Sequence, residues 1–290
     1  MFSRQNLQEG SHRGSGSDDT AIRRRINAPT EFLCGITDIG LVRRQNEDTF
    51  YIAEDGSVLI VADGMGGHSA GDVASGLATS FLADYMRAVN ESRKEPDGSS
   101  VESLLCDAFQ RAHQHVIEEA RSRSDCGDMG TALILAYLES ERLTTCHIGD
   151  VRCYVQDRSG LRQITEDHSL VGTLVKAGKL TPEEARVHPR RNEILQALGL
   201  STEITPDIRS ADLSLGDHVL LCSDGLWEAL GDDDIRSILE LDRPLKERAM
   251  TLVNRANEES GTDNITVVLY EHINRSIPES TDETNEGQSE

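Results

Sequence analysis

The stretch VLIVADGMGG, Val58 to Gly67, constrains the fold more than any other part of the chain. Five consecutive apolar residues rich in Val and Ile read as an interior strand. The run stops at Asp63, and Gly64, Gly66 and Gly67 follow within four positions, as in a chain forced into tight or left-handed geometry. Read alone, Asp63 is a turn residue or a helix cap at the lip of a core strand.

Three further aspartates occupy the same kind of place. Asp150 follows TTCHIG, Asp224 follows VLLCS, and Asp263 stands immediately before NITVVLY. Glycine flanks Asp63, Asp150 and Asp224, so the backbone can approach closely and offer a carbonyl as another oxygen ligand. Hard cations such as Mg2+ and Mn2+ take about six oxygen ligands, and strand ends hold carboxylates rigidly enough to supply some of them. Each aspartate singly is a turn residue; four brought together repel unless a cation neutralises them. The pattern therefore predicts a divalent-metal site. The segment TDIGLVRRQNED, Thr37 to Asp48, carries Arg43 and Arg44 and ends in Glu47 and Asp48. An arginine fork fits phosphate oxygens, so its place before the metal motif points to a phosphorylated substrate. By itself the segment is a surface ion pair.

The 290 residues hold 51 Asp and Glu against 29 Lys and Arg, a formal charge of -22. Such a balance argues against nucleic acid and anionic membranes as partners. Acidic residues run along the whole chain, and most of them serve solubility. Six cysteines, Cys34, Cys106, Cys126, Cys146, Cys153 and Cys222, lie singly without metal-like spacing, as reduced core thiols do. No apolar run reaches the roughly 18 residues of a membrane span, and no apolar leader is visible; the expected compartment is the cytoplasm. Residues 1–29 are polar and Gly/Ser-rich and are expected to be unstructured, as is the acidic stretch 273–290. One domain, 30–272, remains. It reads as strands, two long helices, strands, two helices and a closing strand, an arrangement of mostly antiparallel sheet.

In order along the chain, DIGLVRRQNED, VADGMGGHSAGD, MGTA, HIGDVR, ITEDHSLVGTLVKAGKLTPEEARVHPRRN, LLCSDGLWE and GTDNITVV cover about residues 34–270. Through these seven motifs the chain resembles bacterial members of the metal-dependent protein phosphatase family, protein phosphatase 2C. The resemblance implies an α+β fold, an αββα sandwich of two antiparallel sheets flanked by helix pairs. It implies that Asp63 bridges two Mn2+ or Mg2+ ions, with the Gly64 carbonyl on one ion and Asp224 and Asp263 on the other. Asp150 matches the aspartate of a third, weaker metal site. Arg43 matches the phosphate-binding arginine, and Glu47 and Asp48 match acidic residues that hold metal-bound waters. Arg44 matches no such role.

Two metals about 3.5–4 Å apart generate a bridging hydroxide that attacks phosphorus in line, without a phosphoenzyme. Met65 stands where eukaryotic members carry a histidine proposed as general acid, and His68, three residues on, is the candidate to protonate the leaving Ser or Thr oxygen. Val151 and Ala132 also depart from the usual serine and threonine, without removing a ligand. The segment 168–206 resembles the flap of bacterial members; its Lys176, Lys179, Arg186, Arg190 and Arg191 read either as phosphoprotein contacts or as solvated surface. The expected activity is hydrolysis of phosphoserine and phosphothreonine in proteins, by a monomer opposing a Ser/Thr kinase. The alternatives are a phosphatase of a partner-switching regulator and a noncatalytic phosphoprotein-binding pseudophosphatase.

Overall fold

The apolar run at Val58 is continuous because both faces of the strand it forms are covered. In the computed structural model, which describes residues 23–66, 70–92, 100–122, 129–200 and 202–273, it becomes β4 (Val58–Met65). Leu59 and Val61 face a second sheet, while Ile60 and Ala62 face helices. Successive residues of a strand point to opposite faces, so a doubly covered strand must be apolar at every position.

The first sheet has the order β3 (Asp48–Ile52), β4, β5 (Gly130–Glu139), β6 (Arg142–Ile148) and β9 (Asp207–Asp212). The second has the order β1 (Arg24–Thr30), β2 (Leu33–Asp38), β11 (Ile265–Glu271), β10 (His218–Cys222), β7 (Arg152–Asp157) and β8 (Gly160–Gln163). Every pairing is antiparallel. Helices α1 (Ala70–Ser92) and α2 (Val101–Ser122) pack on the first sheet through Ala74, Ala78, Leu82, Phe109 and Val116. Helices α5 (Asp224–Trp227), α6 (Asp232–Leu239) and α7 (Leu245–Glu259) pack on the second through Leu226, Ile235, Leu252 and Val253. The middle layer joins Leu59, Val61 and Ile134 to Val155, Leu221 and Val268. This is the expected αββα sandwich.

Between β8 and β9 lie two short helices, α3 (Leu170–Lys176) and α4 (Pro182–Arg186). Ser169 caps α3 by accepting the Gly172 N–H at 3.0 Å. Thr181 and Glu184 form a reciprocal capping box on α4, with Pro182 opening it. Both helices sit in the segment expected to form the flap.

Three elements depart from the sequence reading. Strand β1 begins at Arg24, inside the 1–29 segment expected to be unstructured. Its residues are mostly exposed, so no apolar alternation announces it; it is held by the ladder to β2 and by Arg24 Nε donating to Asp38 Oδ2 at 2.7 Å. Strands β8 and β9 are short and polar, GLRQ and DIRSAD, and pair as sheet edges. Residues 1–22, 274–290, Cys126 and His68 lie outside the described residues. Among those described, no helix is long and apolar enough to cross a membrane.

Ile134 is fully buried between the sheets opposite Val61. Ile134→Ala should cost about 2–5 kcal/mol, read as a lower urea midpoint by circular dichroism.

Candidate functional site

At one end of the sandwich, carboxylates arrive from both sheets. Asp48 and Asp63 are directly opposite partners in the β3–β4 ladder. They share the strand face of Phe50 and Val61, which points between the sheets. From the second sheet, Asp224 begins α5 two residues after β10 ends, and Asp263 precedes β11 by two residues. Asp150 stands between β6 and β7. The structure thus brings together the five aspartates that the sequence singled out.

Side-chain hydrogen bonds fix this end. Ser223 Oγ donates to Asp48 Oδ2 at 2.7 Å and accepts the Thr266 N–H at 3.0 Å, joining the two sheets. Thr37 Oγ1 accepts from Thr266 Oγ1 at 2.7 Å and from Asn46 Nδ2 at 2.8 Å. Asn264, nearly fully buried, acts as a latch on the loop after β2. Its Nδ2 donates to the carbonyls of Ile39 and Gln45, both at 3.0 Å, and its Oδ1 accepts the Glu47 N–H at 2.8 Å. The loop that carries Arg43 and Glu47 is therefore held to the same segment as Asp263.

Gly64 has a packing reason to be glycine in addition to any role as a ligand. A Cβ there would lie 2.0 Å from the Gly71 carbonyl oxygen and 2.7 Å from that of Glu47. The end of β4, the first turn of α1 and the Glu47 backbone meet at this point, where Gly64 N–H donates to Glu47 O at 3.1 Å. Gly225 is equally constrained, its Cβ position being 2.0 Å from the Asn264 carbonyl oxygen.

The electrostatics follow from this crowding. Burial, then repulsion from Asp224, Asp48, Asp150 and Asp263, pushes the Asp63 carboxyl well above its ordinary range. Asp224 is raised likewise, by burial and then Asp150 and Asp263. Burial raises Asp48 to about 7 despite the Thr266 and Ser223 hydrogen bonds that favour its ionised form. Asp150 also reaches about 7, through burial and then Asp167, opposed by Arg152. Glu47 is raised by burial, with Arg43 opposing and Asp72 and Asp263 adding to the shift. Oxygen donors of like charge, rigidly held and short of cationic partners, fit hard divalent cations.

Arg43 is exposed, and its Nη2 donates to Asp263 Oδ2 at 2.5 Å, with Nη1 3.9 Å from Glu47 Oε2. Its fork therefore lies at the rim of the cluster, reachable from solvent. Asp150 is tied to the second sheet's helices, because Trp227 Nε1 donates to its carbonyl at 3.0 Å. The Arg152 guanidinium lies 3.7 Å from the Trp227 ring centroid and donates from Nη2 to Asp167 Oδ2 at 2.7 Å.

The basic residues of the flap are mostly paired. Lys176 meets Glu166 at 2.5 Å, Arg190 meets Glu193, and Arg191 Nε lies 3.4 Å from Glu228 Oε1. Arg186 Nη2 donates to the Glu228 carbonyl at 3.2 Å. Arg186 and Arg191 thus fasten the flap to the residue after Trp227.

Sequence reasoning missed Ser223, Thr266 and Asn264, whose role depends on contacts between distant segments. It also missed His147, His168 and Asp207, whose ligating atoms lie within 4.8 Å of one another. Their separation in sequence gives no metal-like spacing.

The family described as Protein phosphatase 2C matches residues 43–269. The chain is 38% identical over 238 residues to the serine/threonine phosphatase Stp of Listeria welshimeri serovar 6b, covering 81% of this chain and 93% of that protein. It is 40% identical over 243 residues to the protein phosphatase PhpP of Streptococcus pneumoniae, covering 81% and 94%. Among solved structures it is similar to the Mycobacterium tuberculosis serine/threonine phosphatase PstP/Ppp, with a TM-score of 0.74, 35% identity, and coverage of 87% of this chain and 99% of that one. A crystal structure of the PstP catalytic domain with two manganese ions gives a TM-score of 0.71 at 34% identity, with coverage of 87% and 99%.

The raised carboxyls set a pH dependence. Asp48 holds its proton more tightly folded than unfolded, so its ionisation penalises the metal-free fold. That penalty is absent below about 4 and complete above about 7. In EDTA, Asp48→Asn should match the wild type near pH 4 and exceed its Tm by at least about 2 °C at pH 8; calorimetry at both pH values checks the sign.

Proposed function

Because this chain belongs to the protein phosphatase 2C family and is a serine/threonine protein phosphatase, we propose that the carboxylate cluster at the end of its two sheets is the catalytic centre. Asp63, the Gly64 carbonyl, Asp224 and Asp263 would hold a pair of Mn2+ or Mg2+ ions, and Asp150 would serve a third. Glu47 and Asp48 would accept hydrogen bonds from the waters of such ions. One observation carries this reading: Asp63 stands opposite Asp48 and shares its site with Asp224, Asp150 and Asp263, a concentration of like charge that divalent cations relieve. The manganese pair in the related PstP domain supports the count of two.

The family is metal-dependent, and two such ions, when bound, supply water activation at neutral pH and neutralise charge on the phosphoryl group. The protein's own residues do the rest. Asp63 and Asp224 come from different sheets, so the middle apolar layer fixes the spacing between the ligands they offer. Arg43, exposed at the rim, swings its fork from Asp263 to the phosphoryl oxygens, where it orients the phosphorus and offsets developing charge. Its loop is anchored by Asn264, so this movement is confined to the side chain. His68 donates a proton to the departing Ser or Thr oxygen.

Four of the cysteines support hydrolysis without a covalent intermediate. Cys34, Cys146, Cys153 and Cys222 are buried free thiols. Burial pushes Cys34 up to about 11 and the other three upward as well. A neutral buried thiol is a poor nucleophile. The substrate is a phosphoprotein; the opposing Ser/Thr kinase, the cytoplasmic setting and the monomeric state belong to the same proposal.

Mn2+-dependent hydrolysis of a phosphothreonine peptide tests the site. Asp63→Asn and Asp224→Asn should each lower kcat on the order of 100-fold or more, beyond the 10–100-fold typical of groups one shell further from a metal. Arg43→Lys should recover little of the kcat/KM lost in Arg43→Ala, because an ammonium does not reproduce the fork. Wild-type rates in Asp63→Asn would remove the cluster from the mechanism. A general acid must be protonated, so the His68→Ala profile should lose the alkaline limb; a retained limb assigns the proton elsewhere.

A further inference from the structure

A second set of donors adjoins the carboxylate cluster on its Asp150 side. His147 and Asp207 are directly opposite partners across β6 and β9. Counting from Leu143 and Ala211 places both side chains on the face between the sheets. His168, from the segment after β8, stacks over His147 with ring centroids 4.8 Å apart and 24° between planes. His147 is fully buried, while His168 and Asp207 reach a cavity of about 1000 Å3 lined also by Glu166, Gln196 and Arg209.

The surroundings of these donors are those of a metal ligand set. His147 Nε2–H donates to the Glu166 carbonyl at 3.0 Å, the outer bond that commonly orients a ligating imidazole. Its buried Nδ1 makes no well-formed hydrogen bond and lies near the Asp207 backbone. Arg209 Nη2 holds Asp207 Oδ2 at 2.8 Å and Glu166 Oε1 at 3.2 Å, leaving the other Asp207 oxygen to ligate. Burial lowers both imidazoles from their ordinary range, His168 down to about 4.

We propose that His147, His168 and Asp207 bind one divalent ion of the zinc class, separate from the carboxylate centre. Two imidazoles and one carboxylate are the donors that a borderline cation prefers over Mg2+. Four-coordinate bonds of 2.0–2.2 Å place donors about 3.3 Å apart, so the side chains, now within 4.8 Å, close by up to about 1.5 Å. A water from the cavity completes the shell.

The position gives the ion a consequence. The 168–206 segment begins at His168 and ends one residue before Asp207. One ion therefore ties both ends of the flap to β6. His168 Nδ1 now accepts the Gly149 N–H at 3.3 Å. Coordination through Nε2 moves the ring proton to Nδ1 and ends that bond, one residue before Asp150. Occupancy thus restrains the flap while freeing the Gly149 amide.

The test is a Co2+ titration of the full chain in excess Mg2+, which fills the oxygen sites, followed by visible absorption. Wild type and Asp63→Asn should each show the intense bands of one four-coordinate Co2+, whereas folded His168→Ala and Asp207→Asn should show none. Hydrogen exchange should quicken at Gly149 and slow at both flap ends on adding Zn2+. Absent bands in wild type, bands that persist in both folded variants, or bands lost in Asp63→Asn would each overturn the proposal. Circular dichroism reports the folding of each variant.

Discussion

Like charges held together from two sheets set the problem that the rest of the structure solves. Asp48 and Asp63 face each other across one ladder, a pairing that destabilises an isolated hairpin. Asp224 and Asp263 enter from the second sheet and add to the same field. Without a stiff frame the strand ends would part. The frame is the apolar middle layer, which sets the sheet spacing, together with the Ser223 hydroxyl that spans the two sheets at Asp48. A cation placed there finds its oxygen donors already assembled, and the protein need not reorganise around it.

This division of labour explains why the clustered carboxylates stand at the ends of strands. Positions such as Ile60 or Val267 are committed to packing and tolerate little chemistry. One or two residues beyond them the backbone turns, polar groups become affordable, and rigidity persists because the strand continues into the core. Gly64 lies at this transition. Its missing side chain lets α1, β4 and the Glu47 loop meet, so helix placement and site geometry are coupled at a single position.

The sequence revealed these strand ends because local chemistry marks them. A run such as VLIVA before Asp63 declares a buried strand and its limit without help from the rest of the chain. The four chemistry-bearing aspartates and the long helices were legible for the same reason. Strands β8 and β9 were not, because polar edge strands such as GLRQ and DIRSAD carry no period-two apolar signal. Strand β1 was hidden likewise within a polar, exposed segment. Asn264 reads as an ordinary loop residue until its bonds to Ile39, Gln45 and Glu47 appear. His147, His168 and Asp207 are separated by long intervals, and only the β6–β9 register and the return of the flap bring them together. Local periodicity is written in the chain; cross-sheet and flap contacts emerge from topology.

Trp227 bears on how the protein can be studied. It is the one tryptophan of the chain. Its indole N–H is bonded to the Asp150 carbonyl, its ring is covered by Arg152, and its neighbour Glu228 receives the flap arginines. The molecule therefore carries an intrinsic optical probe at the seam between the carboxylate cluster and the flap. Shifts in its emission need no attached dye, and they report events on either side of that seam while the distant helices α1 and α2 stay silent.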